Sequence, residues 1–249
     1  MRKIITEICA DSINSVFAAK RGGGDRIELC QALHMGGLTP SFALISECCK
    51  DLSIPVFVLI RPRPGDFYYN RDEYRLMLDD IRFCKEAGAA GIVTGFLNPD
   101  GSVDKIRLAE VTELAAPMQV TFHRAFDRCR DWESALEDII DCGCSRILTS
   151  GLHNTASEGK DIIRRVVARA GNRIKIMAGS GISPDNVVDI INYTGCEEVH
   201  FSAKRAVKGE MTYINPNIGE DIFEKEGMSH YESSEDVIKK IIKNINKAF

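Results

Sequence analysis

The sequence predicts an α/β protein built as a (β/α)₈ TIM barrel, a single domain over residues 1–249. Three observations predict it. Eight short β-rich runs alternate with helical patterns. The runs are nearly continuous apolar, as strands of a parallel sheet covered on its outer face are. Several of the helical stretches end at a glycine a few residues before the next strand. About eight βα units in 249 residues is the size of such a barrel. An open doubly wound sheet is the alternative, but no GxGxxG follows the first strand.

The elements read in order as follows. The first strand is KIITEIC and the second, after Gly24, is DRIELC. PVFVLIR is the third and, after Gly88, AAGIVTG the fourth. MQVTFHR is the fifth and, after Gly143, CSRILTSG the sixth. Gly171 precedes the seventh, NRIKIMAG, and Gly195 the eighth, CEEVHFSA. Glycine suits the left-handed residue that closes a helix because it has no Cβ to clash. Helix starts are marked by Asn70 before Glu73, Asp131 before Glu133-Ser134, Ser183-Pro184-Asp185, and Ser233 before Asp236. Residues from about 203 to 231 form a long connection before the last helix, a length that usually serves function or a partner.

Composition narrows the function. With 44% hydrophobic and 27% charged residues the chain can bury a sizeable core. A net charge of −4 argues against a nucleic-acid partner. No apolar run approaches the ~18 residues of a membrane helix, and the start MRKIITEICADS makes a poor signal peptide. The nine cysteines contain no CxxC and include adjacent Cys48-Cys49, a poor disulfide framework, so a cytoplasmic, reducing location is expected.

In a TIM barrel the chemistry sits at the carboxyl ends of the strands. Strands one and two both end in E-x-C, as Glu7-Ile8-Cys9 and Glu28-Leu29-Cys30. Residues two apart share a face, so two acids and two thiols converge on one corner of the mouth. Arg61 ends strand three, His123 and Arg124 end strand five, and His200 ends strand eight. These groups are either a polar site or a self-satisfied network, with Glu7 and Glu28 plugging the barrel against Arg61. Cys9 and Cys30 are either small buried hydrophobes or ligands for soft Cu(I). As an enzyme, the set reads with Glu7 or Glu28 as base, His123 as acid, and Arg61 and Arg124 as anion clamps. His200 is a further acid/base candidate. Ser150-Gly151 and Gly179-Ser180-Gly181 stand where this fold often binds phosphate, or are simply glycine-rich turns. A proton-transfer, lyase or isomerase reaction on a small anionic or phosphorylated metabolite suits these groups. A third reading makes the 203–231 segment an oligomerisation device.

The motifs TEICADS, GGDRIELC, GGLTPS, IRPRPGDF, VTFHRAFD, LTSG and MAGSGI occur in this order from the first strand to about Ser202. In these the chain resembles the CutC family of copper homeostasis proteins. It differs from the family's pattern at Gly24 and at Pro64. The resemblance implies a cytoplasmic TIM barrel, a homo-oligomer, and copper bound at Cys9 and Cys30.

Overall fold

The computed structural model describes residues 3–50, 53–213, 215, 217 and 229–249. Eight parallel strands close on themselves in chain order: β1 Ile5–Ala10, β2 Arg26–Leu29, β3 Val56–Leu59, β4 Gly91–Thr94, β5 Gln119–Phe122, β6 Arg146–Thr149, β7 Lys175–Gly179 and β8 Glu198–Phe201. The predicted barrel is therefore the observed one. Among the described residues, seven helices alternate with the strands: α1 Ile13–Gly22, α2 Phe42–Cys49, α3 Arg71–Glu86, α4 Lys105–Ala115, α5 Trp132–Asp141, α6 Lys160–Ala170 and α7 Val187–Thr194. An eighth, α8 Glu235–Ala248, packs on α1 and α7.

The apolar residues divide into two bodies. The larger lies between sheet and helices, with Ile8, Leu29, Val58, Ile92 and Val199 meeting Val16, Ile45, Met77 and Ile190. The smaller lies inside the barrel and consists of Cys9, Cys30, Phe57, Leu59 and Val93. This is the period-two alternation of a strand expressed as outward and inward faces.

The local signals mostly act as expected. Asn70 and Glu73 form a reciprocal capping box on α3, and the Asp131 side chain accepts from Glu133 N–H. Gly88, Gly143 and Gly195 have φ of +83°, +81° and +78°. Three details differ. The left-handed residue closing α1 is Gly23, not Gly24. Gly24 instead lies against Ile8, whose Cδ1 is 2.2 Å from where a Cβ would stand. The cap of α8 is Ser234 rather than Ser233. Ser183-Pro184-Asp185 forms a turn whose Ser183 carbonyl accepts from Val187 N–H, and regular helix begins at Val187.

The long connection contains an antiparallel hairpin of β9 Lys204–Val207 and β10 His230–Ser233. Residues 214, 216 and 218–228 of that connection lie outside the described residues.

Close packing inside the barrel makes a test. A Cβ on Gly91 would sit 2.3 Å from the Phe57 ring and 2.7 Å from the Gln119 carbonyl oxygen. The carbonyl belongs to β5 and cannot turn away. Gly91→Ala should therefore cost about 3 kcal/mol in chemical denaturation. An unchanged midpoint would place the Phe57 ring elsewhere.

Candidate functional site in the barrel mouth

The lumen is polar at its base. Arg26 Nε donates to Glu7 at 2.5 Å and Arg26 Nη2 to Glu198 at 2.6 Å. Arg146 Nε donates to the same Glu198 carboxylate at 2.5 Å, and Arg146 Nη1 to Thr121 Oγ1 at 3.2 Å. Both guanidiniums stack on Phe57, 5.0 and 5.2 Å from its centroid. All four charged residues are buried. A plug of the expected kind is thus present, but its cations are Arg26 and Arg146. Arg61, the expected partner, is bonded elsewhere.

Above the plug stands a carboxylate–imidazole–carboxylate chain. His200 Nδ1 lies 2.8 Å from Glu7 Oε1, and its Nε2 lies 3.5 Å from Glu28 Oε2. Register sets this up, because Glu7 pairs with Arg26 on one side and with His200 on the other. Burial alone would raise the Glu7 carboxyl; the His200 hydrogen bond and the Arg26 and Arg146 charges outweigh it and hold it at about 2. Burial opposes charge on His200, yet Glu28 and Glu7 raise its pKa above the ordinary value. Burial raises Glu28 above the usual carboxylate range.

The thiols come next along the same strands. Cys9 and Cys30 Sγ atoms are 3.7 Å apart, and both residues are buried. The hydrogen bond with Cys30, burial and the Glu28 charge together push the Cys9 thiol well up. One ligand atom each from Cys9, Glu28 and His200 lie within 4.8 Å of one another, a grouping able to hold a metal ion.

A cavity of about 440 Å³ opens over this floor. Cys9, Cys30, Glu28 and His200 line it together with Arg61, His123 and Arg124. Seven of the expected catalytic and metal-binding residues therefore meet in one opening, with Glu7 directly behind His200. The two phosphate segments fare differently. Ser180 and Gly181 line the cavity. Gly179 lies tight against Leu148 and His200. Ser150 does not line it: its N–H and hydroxyl bond to Asp127 at 3.1 and 2.9 Å. Gly151 N–H donates to Thr149 Oγ1 at 2.9 Å. The donors expected to face a phosphate from this loop are thus spent within the chain.

Arg124 clamps the same loop, donating to Asp127 Oδ2 at 2.7 Å and to Ser150 Oγ at 2.7 Å, while its half-exposed side chain reaches the cavity rim. Arg61 Nη1 donates to the carbonyls of Met35 (3.1 Å) and Gly37 (2.9 Å). His123 Nδ1 accepts from Ala125 N–H at 3.1 Å, and burial with the nearby Arg61 charge lowers its pKa to about 3. At neutral pH His123 is therefore an uncharged imidazole.

Sequence reasoning did not single out Arg26, Arg146, Glu198, Asp127 or Lys204, the last of which also lines the cavity. For three of these a signal existed. Arg26, Arg146 and Glu198 each lie two residues before an inward position, at Glu28, Leu148 and His200.

The profile of the CutC family matches residues 4–205. The chain belongs to the CutC family. A CutC family protein of Vibrio vulnificus (strain CMCP6) is 48% identical over 210 residues, 84% of either chain. One from Chromobacterium violaceum is 40% identical over 244 residues, 98% of this chain and 99% of that protein. Among solved structures, a provisionally named copper homeostasis protein CutC from Streptococcus agalactiae superposes with a TM-score of 0.77. It is 32% identical, covering 80% of this chain and 98% of that one. The CutC match ends at residue 205, so the barrel and its mouth lie almost entirely within it, whereas β10 and α8 lie beyond. Among the described residues, no helix is long and apolar enough to cross a membrane.

Proposed function

We propose that this CutC protein binds Cu(I) as cargo, holding it between the thiolates of Cys9 and Cys30. The observation that carries the reading is the pair of sulfurs 3.7 Å apart on the floor of an open cavity. Soft thiolates select Cu(I) over the harder cations that carboxylates prefer. Neighbouring strands deliver the sulfurs, so little rearrangement is needed to bring both to one ion. His200 is held between two carboxylates, so the sulfurs are the primary ligands and the imidazole a neighbour. The Glu28 carboxyl disfavours a bare Cys9 thiolate, and a cation between the sulfurs reverses that penalty. The copper homeostasis name that the Streptococcus agalactiae protein carries agrees with this chemistry.

The test is anaerobic titration with Cu(I) against a competing chelator. Wild type should take up one Cu(I) per chain, and Cys9→Ser with Cys30→Ser together should weaken binding at least about a hundredfold. Each displaced thiol proton should raise the apparent affinity by about tenfold per pH unit below the thiol pKa. Equal affinities in wild type and the double variant would remove copper from Cys9 and Cys30.

A further inference from the structure

Among the described residues, three buried side-chain atoms have no hydrogen-bond partner: Arg61 Nε, Tyr69 Oη and His123 Nε2. In folded proteins nearly all such groups are satisfied, and an unmet one costs free energy. The three belong to one neighbourhood. The Arg61 guanidinium lies 5.3 Å from the centroid of Phe67, and the His123 ring lies 4.8 Å from the same centroid. Arg61 acts electrostatically on both His123 and Tyr69. Arg61 and His123 are each only 6% exposed, and both line the cavity.

Their hydrogens can be assigned. His123 Nδ1 accepts from Ala125 N–H, so in the neutral ring the hydrogen is on Nε2. Arg61 Nε always carries one, and the Tyr69 phenol keeps its own because burial pushes it up to about 12. The phenol oxygen can accept from its neighbours, but at least one hydrogen then remains without an acceptor. Arg61 Nε and His123 Nε2 thus stand beside one apolar ring, each without an acceptor in hydrogen-bond geometry.

We infer that the cavity is a binding site for an organic carboxylate, whose oxygens accept from Arg61 Nε and His123 Nε2 while its apolar body packs on Phe67, Leu33 and Ile182. A carboxylate supplies only acceptors, which is what N–H donors without an oxygen lack. The surroundings tolerate the charge. The acids Glu7 and Glu28 are already matched by Arg26 and His200, and Arg124 and Lys204 add positive charge at the rim. The contacts proposed use neither thiol, and His123 ends β5, across the closed barrel from β1 and β2, so the inference does not rest on the copper reading.

The test uses copper-free protein in the presence of a Cu(I) chelator, with benzoate as the carboxylate bearing an apolar body and inorganic phosphate as the bare oxyanion. Benzoate should raise the melting temperature saturably, and phosphate should do so less. Addition of benzoate should also shift the side-chain ¹⁵N resonance of His123 Nε2. His123→Asn keeps an acceptor for Ala125 N–H but loses the far donor, and it should weaken benzoate binding about tenfold or more. Should that variant fold poorly, the His123 resonance in wild type decides alone. The proposal is overturned if the His123 resonance does not respond to benzoate. It is equally overturned if a structure grown in benzoate shows only ordered water on Arg61 Nε and His123 Nε2. A larger response to phosphate than to benzoate would overturn the assignment to a carboxylate in favour of an inorganic or phosphorylated ligand.

Discussion

Replacing Glu198 by alanine should cost the folded protein about 3–5 kcal/mol, because it leaves two buried guanidiniums sharing too little negative charge. Glu198 is 5% exposed and accepts from both Arg26 and Arg146. Without it Arg26 keeps Glu7, but Arg146 is left with Thr121 Oγ1 and Gln119 Oε1, at 3.2 and 3.3 Å. Neither neutralises it, and the Phe57 ring prevents water from replacing the lost carboxylate cheaply. The effect should spread upward, since Arg26 also helps to keep Glu7 ionised beside His200. Urea denaturation of Glu198→Ala reads the loss directly. Substituting Arg146 and Glu198 together by apolar residues of similar volume, with Arg26 left on Glu7, should restore much of it, because the penalty belongs to unpaired charge rather than to lost volume. A loss below about 1 kcal/mol for the single variant would mean that the network is solvated, in the manner of a surface ion pair.

That network also shows where sequence reading stops. The barrel was legible because strand hydrophobicity, helix caps such as Asn70 with Glu73, and glycines such as Gly143 all specify local structure. The convergence of Glu7, Cys9, Glu28 and Cys30 was legible for the same reason, since period two forces E-x-C to share a face. Carrying the same alternation one step inward reaches Arg26, Arg146 and Glu198. Which cation meets which acid was not legible. That depends on shear between strands, which sets Arg26 beside Glu7 and Met177 beside Glu198 and leaves Arg61 above the layer. The fate of Ser150 and Gly151 was hidden differently. The Ser150 donors are taken by Asp127, which lies in a turn after another strand, and a contact across 23 residues leaves no mark on local pattern; the Gly151 N–H is taken by Thr149 Oγ1, itself bonded to the same Asp127 carboxylate. The uncharged state of His123 is likewise a property of its surroundings, burial and Arg61, and not of its position at a strand end.

Acid should destabilise the protein from pH 6.5 downward, and His123 should account for the upper part of that loss. In the unfolded chain His123 takes up a proton near its ordinary value of 6.5, whereas in the folded chain it does so only at about 3. Its contribution to stability is therefore fully present above 6.5 and is lost as pH falls toward 3, at about 1.4 kcal/mol per pH unit. Glu7, held at about 2 against an ordinary 4.5, adds a second loss of the same sign below pH 4.5. His200 and Glu28 act in the opposite sense. Their folded values are raised, so their contributions are present below their unfolded values and are lost as pH rises through the folded ones. The raw pH profile of wild type mixes all four, and comparison with His123→Asn separates the histidine from the rest. Between pH 7 and pH 4.5 wild type should lose about 2–3 kcal/mol more than the variant in urea midpoints converted to free energy. Parallel profiles would show that the His123 ring titrates normally in the folded state, and would contradict its burial as an uncharged donor beside Arg61.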